Sequence, residues 1–134
     1  LGSGGGFPGI ILSITKPENK INLLESNNKK CYFLKKVSHE LNLKNTKIIN
    51  KTIIKKNELG KFDIITSRAF ATIKKTINLT KTNTHENTKY LLLKGKASNI
   101  KKELKDIDKN MFRYEIINQD TTKERNIVLL CKDE

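Results

Sequence analysis

The chain opens with the glycine-rich stretch Leu1-Gly2-Ser3-Gly4-Gly5-Gly6-Phe7-Pro8-Gly9, which holds five of the seven glycines in the protein. Glycine allows a positive φ and lets a ligand approach the backbone with no Cβ in the way. Proline has a fixed φ and no N–H, so we predict Pro8 at the first position of a helix that continues through apolar residues 10–14. A glycine-rich turn that leads into a helix is typical of nucleotide sites.

The spacing of these glycines fits two classes of cofactor site. Gly4, Gly6 and Gly9 match the dinucleotide pattern G-x-G-x-x-G, which would indicate an NAD-dependent oxidoreductase. Gly2, Gly4 and Gly6 match G-x-G-x-G, the S-adenosylmethionine loop of Rossmann-like methyltransferases. An acidic residue about 20 positions beyond such a loop is placed to hydrogen-bond a ribose, and Glu25 stands there at the end of a predicted strand. The glycine pattern alone does not choose between the two classes.

Length and charge limit the alternatives further. A chain of 134 residues suits one domain, 1–134, with a core of its own. A strand should precede the glycine loop and only Leu1 stands before it, so we expect a fragment in which that first strand is largely missing. The formal net charge of +13 suits a polyanionic partner such as nucleic acid. Abundant Lys, Asn and Ile are also what an AT-rich genome encodes, so the charge alone leaves nucleic-acid binding open.

The cysteines and the hydropathy pattern point to a cytoplasmic protein without metal. Cys31 and Cys131 form no C-x-x-C motif and no metal-ligand spacing, so we predict that both are reduced thiols. No apolar run approaches the roughly 18–20 residues that a membrane span needs. We therefore expect no membrane association.

Hydrophobic periodicity predicts a domain of alternating helices and strands. The fold class that follows is α/β, with a mostly parallel sheet and an antiparallel last pair of strands. The predicted strands are 21–24, 47–54, 62–67, 90–93, 112–117 and 127–131. The predicted helices begin at Pro8, after a cap at 26–28, at about residue 71 (ending near 80), and around the apolar positions 100, 104 and 107.

Several short segments, in this order and at this spacing, resemble the glucose-inhibited division protein B family along essentially the whole chain. They are the glycine loop, Leu24-Glu25-Ser26, Lys29-Lys30 with Phe33-Leu34, His39-Glu40-Leu41, Ser67-Arg68-Ala69-Phe70 and Leu93-Lys94-Gly95. Members of this family methylate guanine N7 of small-subunit (16S) ribosomal RNA. The resemblance implies the Rossmann-like class I methyltransferase fold, S-adenosyl-L-methionine as cofactor, ribosomal RNA as partner and a monomer. It also implies an N-terminal helical segment that this chain lacks.

The resemblance assigns a cofactor site residue by residue. Cofactor contacts are implied for Gly2, Gly4, Gly6, Phe7, Glu25, Ile53, Ile54 and Arg68, with Glu25 on the ribose and the two isoleucines at the adenine end. The family has an Arg and a Glu where this chain has Thr52 and Ile54. A backbone contact to adenine survives that change, whereas a side-chain contact does not. Arg68 has an alternative structural role, in which it pairs with Asp63 or with a helix end. Candidate RNA phosphate contacts are Lys29, Lys30, Lys94 and Arg125.

The implied reaction needs few catalytic groups. Guanine N7 carries a free lone pair, so no proton leaves before attack and no general base is needed. Catalysis then depends on holding the methyl group about 3 Å from N7 and in line with it. We accordingly assign no catalytic side chain. The alternatives are an inactive, truncated remnant that binds RNA weakly, and the NAD-dependent oxidoreductase. The oxidoreductase leaves Ser67-Arg68-Ala69-Phe70 unexplained and has no second domain for its substrate.

Overall fold

Helices and strands alternate through the chain, as the apolar periodicity predicts. A computed structural model describes residues 1–118, 121 and 124–132. The chain divides into two compact units, Leu1–Thr52 and Ile53–Glu134. The first contains α1 (Gly9–Thr15), β1 (Ile21–Glu25), α2 (Asn28–Glu40) and β2 (Thr46–Asn50). The second contains β3 (Ile64–Arg68), α3 (Ile73–Thr80), a 3-10 turn (Lys81–Asn83), β4 (Lys89–Lys94), α4 (Ala97–Leu104), β5 (Phe112–Asn118) and β6 (Asn126–Lys132).

In the first unit, two parallel strands carry two helices. β1 pairs with β2 in parallel, and Glu25 lies opposite Asn50 at the carboxyl end of the pair. Buried Ile10, Leu23 and Leu34 join α1, β1 and α2 in one apolar cluster. Gly9 is required at the start of α1 because a Cβ there would overlap the Leu23 side chain. The glycine loop precedes α1 in the chain and is hydrogen-bonded to the end of β1. It packs against this apolar cluster.

The helix ends in the first unit are set by specific caps. Pro8 was predicted at the first helical position, but it is the N-cap of α1, since its carbonyl accepts the first helical hydrogen bond, from Leu12 N at 3.0 Å. For α2, the Asn27 side chain accepts a hydrogen bond from Lys30 N at 3.0 Å, as the predicted cap requires. Asn42 follows the C-cap with a φ of 51°, a left-handed conformation that Asn tolerates.

The second unit is a four-stranded mixed sheet in the order β3-β4-β6-β5. β3 and β4 are parallel, and β6 runs antiparallel to both β4 and β5. The predicted antiparallel last pair is therefore confirmed, and its second strand lies inside the sheet. Buried Tyr90 anchors one face: its hydroxyl lies 2.9 Å from Thr80 Oγ1, and its ring meets Phe112 edge-on at 6.4 Å.

Four predicted boundaries were too wide. The strand predicted over 62–67 begins only at Ile64. The strand predicted over 47–54 ends at Asn50, which leaves Ile53 and Ile54 outside any strand. Helix α3 begins at Ile73 because the Thr72 side chain caps it, accepting a hydrogen bond from Lys75 N at 3.3 Å. Helix α4 ends at Leu104, and Ile107 lies in the turn that follows.

Candidate functional site

Backbone hydrogen bonds order the glycine loop and join it to the end of β1. Ser3 N donates to the Leu24 carbonyl at 3.1 Å, and Gly6 N donates back to the Ser3 carbonyl at 2.7 Å. The Gly6 carbonyl accepts from Ile10 N at 2.6 Å, which joins the loop to α1. The loop is therefore an ordered turn in this structure.

Glu25 lies directly against this loop, where the sequence spacing predicts it. One carboxylate oxygen (Oε2) accepts a hydrogen bond from Gly4 N at 2.7 Å, and the other (Oε1) accepts from Asn27 N at 2.9 Å. The side chain is buried. Glu25 thus joins the loop to the start of α2, a structural role that the sequence analysis missed.

The Glu25 carboxylate is ionised at neutral pH. Burial raises its pKa, but hydrogen bonds from the backbone of Asn27 and Gly4, together with the charge of Lys30, outweigh that effect. The net result is a pKa below the usual 4.5. An ionised carboxylate has about four acceptor positions; Gly4 N and Asn27 N use two of them, and the Ser26 backbone also donates toward the carboxylate. The remainder suit hydroxyl donors.

The loop leaves its backbone open beside this charge. A Cβ placed on Gly5 would meet no atom within 4 Å, and one placed on Gly4 would meet only the Gly2 carbonyl oxygen, at 3.8 Å. Gly6 differs: its φ is +98° and a Cβ would lie 2.5 Å from Ile10 Cγ1. Phe7, next along, is half exposed. The arrangement suits a ligand that carries hydroxyl groups and an apolar part.

The other predicted cofactor residues belong to the second unit. Ile53 is buried and Ile54 is exposed. Arg68 is the last residue of β3 and has an exposed side chain. Ala69, which follows it, has a φ of 49°, uncommon for a residue other than glycine. Asp63, one of the structural partners considered for Arg68, is hydrogen-bonded through Oδ1 to His85 Nε2 at 2.9 Å.

Among the predicted RNA contacts, Lys94 differs from the other three. Lys29, Lys30 and Arg125 are exposed. The Lys94 ammonium instead donates to the Ala71 carbonyl at 2.7 Å and to Glu103 Oε2 at 2.8 Å, and its side chain is only 13% exposed. The same Glu103 oxygen accepts from Ile73 N at 2.8 Å. Lys94 therefore holds α3 and α4 together, a geometry that disfavours the predicted phosphate contact.

The described residues contain neither a metal-ligand cluster nor a membrane-spanning helix. Over residues 1–118, 121 and 124–132, no three His, Cys, Asp or Glu side chains are grouped so that they could hold a metal ion. No helix in the same part of the chain has both the length and the apolar character that crossing a membrane requires.

Solved structures resemble this fold closely. A precorrin-6y C5,15-methyltransferase from Geobacter metallireducens GS-15 superposes with a TM-score of 0.75 at 13% identity, covering 99% of this chain and 78% of that one. A SAM-dependent methyltransferase from Aquifex aeolicus gives 0.73 at 16% identity, covering 96% and 78%. At such identities the likeness shows the fold alone. It confirms the predicted class I S-adenosylmethionine-dependent methyltransferase fold.

Sequence comparison identifies the family. The GidB family model, rRNA small subunit methyltransferase G, matches residues 1–128. The chain is 43% identical over 113 residues to the ribosomal RNA small subunit methyltransferase G of Mycoplasma capricolum subsp. capricolum, which covers 83% of this chain and 49% of that protein. The chain spans about half the length of the curated relatives it matches. It belongs to the rRNA small subunit methyltransferase G family.

Proposed function

We propose that the chain binds S-adenosyl-L-methionine at the glycine loop and serves methylation of guanine N7 in 16S ribosomal RNA. The observation that carries the proposal is the ionised Glu25 carboxylate, held against the Gly4 backbone with acceptor positions to spare. Family membership supports the reaction class, and the match to an S-adenosylmethionine-dependent methyltransferase fold supports the cofactor.

The residues of the first unit fit this cofactor. The ribose has two hydroxyl groups, and Glu25 supplies a charged acceptor for them. Gly4 and Gly5 leave room for close approach to the backbone. When bound, S-adenosylmethionine supplies an activated methyl group on a sulfonium. The half-exposed ring of Phe7 would then exclude water from that charge, which favours a reaction that spreads it.

The side chains needed for transfer are few. Because N7 presents a lone pair, no side chain has to remove a proton, and the chain's task is to orient the two reactants. From the family resemblance we also propose that Gly2, Gly6, Ile53, Ile54 and Arg68 contact the cofactor. For the RNA phosphates we propose contacts with Lys29, Lys30 and Arg125. We further propose that the protein acts in the cytoplasm, as a monomer.

A transfer assay tests the proposal. Tritium from the methyl group of S-adenosylmethionine would be followed into unmethylated 16S ribosomal RNA and into assembled small subunits. Digestion to nucleosides should place the label in 7-methylguanosine. The Glu25→Ala variant should lose most of the rate, while Glu18→Ala, an exposed acid in the turn after α1, should keep it. Label in a different nucleoside would refute the N7 assignment. No label at all would favour an inactive protein.

A further inference from the structure

The outer face of α2 carries lysines and aromatic rings in a pattern that the cofactor site does not use. Cys31 and Leu34 are buried and point to the core, so the opposite side of the helix faces solvent. At 3.6 residues per turn, positions 29, 32, 33 and 36 share that side. They hold Lys29, Tyr32, Phe33 and Lys36, which we call the lysine–aromatic face.

Both aromatic rings of this face are exposed to solvent. Tyr32 is 73% exposed and Phe33 is 49% exposed. Exposed apolar surface that is contiguous and flanked by charge is a mark of an interaction site. Lys29 and Lys36 lie at the centre of the face, with Tyr32 on one side and Phe33 on the other.

The charge of helix α2 indicates the chemical class of the partner. Four lysines and a single acid, Glu40, occur within α2. Glu40 reaches Lys36 only at 3.9 Å, and both side chains are more than half exposed, so the pair neutralises little. A membrane-bound helix would place apolar side chains at the centre and lysines at the rim, which is the reverse of this arrangement. Lysines between exposed rings match single-stranded nucleic acid, whose phosphates need cations and whose unstacked bases need flat partners.

We propose that the lysine–aromatic face binds single-stranded RNA, with bases stacked on Tyr32 and Phe33 and phosphates on Lys29 and Lys36. The inference rests on the proposed function, because it supplies a docking surface for that RNA substrate. The face is continuous with the cofactor site along the chain: α2 begins three residues after Glu25, and Asn27 both caps the helix and donates to the Glu25 carboxylate.

The test uses the 134-residue chain and a fluorescein-labelled RNA of about 12 nucleotides, single-stranded or annealed to its complement. Anisotropy titrations should show that Tyr32→Ala and Phe33→Ala each weaken single-strand binding at least about fivefold, since each loses a stacked base. Tyr32→Phe should retain wild-type affinity because its ring remains. Tyr114→Ala removes a ring 46% exposed on β5 and should leave binding within about twofold.

The salt dependence of binding tests the phosphate contacts separately. Each lysine lost from contact with a single strand lowers the slope of log K against log salt by roughly 0.7, so Lys29→Gln/Lys36→Gln should lower it by about 1.4. Lys101→Gln/Lys102→Gln, which removes two exposed lysines from α4, should leave the slope nearly unchanged.

The proposal is overturned if Tyr32→Ala and Phe33→Ala bind the single strand as the wild type does, or if the wild type binds no RNA. Duplex binding as tight as single-strand binding would also overturn it, since paired bases offer no free face. Equal displacement by poly-L-glutamate would indicate an acidic protein partner instead. Titration of the same preparations with S-adenosylhomocysteine separates the two proposals. Cofactor binding without any effect of the ring variants refutes this inference alone, and absent cofactor binding refutes the proposed function.

Discussion

At the scale of the residue, Glu25 has a structural role beside the binding role that we propose for it. Its carboxylate closes the glycine loop onto the first turn of α2 through Gly4 N and Asn27 N. In the proposed site, the same charge accepts hydrogen bonds from a ribose. The spacing from the glycine loop predicted the position of Glu25, because that spacing follows from a loop, a helix and a strand of ordinary length. The bond to Asn27 N was missed, although an acid two residues before a capping Asn is a local signal.

Glu25 should make stability depend on pH in a defined direction. Its pKa is lower in the folded chain than the ordinary 4.5. The stabilisation is therefore complete above pH 4.5 and is lost as the pH falls through the folded-state pKa. Glu25→Gln should remove this loss of stability at acidic pH. At pH 7 it should lower the free energy of unfolding by about 1–3 kcal/mol, since an amide N–H group would face a backbone N–H. Urea unfolding from pH 3 to pH 7 measures both effects.

The matched control is Glu18→Gln, an exposed acid outside the loop. It should change stability by less than about 0.5 kcal/mol at either pH. If the free energy of unfolding of Glu25→Gln fell at acidic pH as that of the wild type does, the Glu25 carboxylate would not be the charge that the loop depends on.

Gly6 and Gly5 form a second matched pair of positions. Gly6 has a φ of +98° and no room for a Cβ beside Ile10, whereas Gly5 has open space. Gly6→Ala should therefore lower the free energy of unfolding by about 1–3 kcal/mol. Gly5→Ala should be neutral or slightly stabilising, since alanine restricts the unfolded chain. Equal costs for the two variants, measured by urea denaturation, would contradict the loop geometry.

At the scale of the element, helix α3 depends on an acid from α4. Glu103 accepts from Ile73 N at the start of α3 and from the Lys94 ammonium, both at 2.8 Å. The sequence analysis placed Lys94 among the candidate RNA phosphate contacts. Its partner Glu103 lies nine positions away on α4, a different element, so no local pattern predicts the pair.

Removing Glu103 should therefore destabilise the second unit. Glu103→Ala leaves the Ile73 N–H without its acceptor and the poorly exposed Lys94 ammonium with the Ala71 carbonyl but no carboxylate, at a cost of about 1–3 kcal/mol. Glu40→Ala breaks an exposed pair at 3.9 Å and should cost less than about 0.5 kcal/mol. Thermal unfolding of the two variants side by side checks this. Similar losses would mean that Lys94 is not held by Glu103.

The elements themselves were predictable and their pairing was not. Strand and helix periods are local, so β1, α2, β4 and β6 were predicted nearly in place. Where a strand joins a sheet depends on contacts distant in sequence, and no local pattern places β6 between β4 and β5. Boundaries moved by a few residues where a side chain competed for the helix end, as Thr72 does at α3.

At the scale of the whole molecule, the strands of the second sheet should differ in local stability. β4 and β6 each have a strand on both sides, whereas β5 pairs on one side only among the described residues. Leu92 and Val128, which face each other in register, are fully buried. Amide hydrogen exchange should accordingly be slowest at these two positions and faster on average along β5. Slower exchange in β5 would contradict the strand order.

The central claim is that the glycine loop and Glu25 form an S-adenosylmethionine site. Its most direct test is calorimetric titration of S-adenosylhomocysteine into the chain, with NADH as the competing ligand and with Glu25→Gln and Glu18→Gln as variants. We predict saturable binding to the wild type and to Glu18→Gln, binding at least about fivefold weaker to Glu25→Gln, and no displacement by NADH. Tighter binding of NADH, or equal affinity of the two variants, would contradict the account.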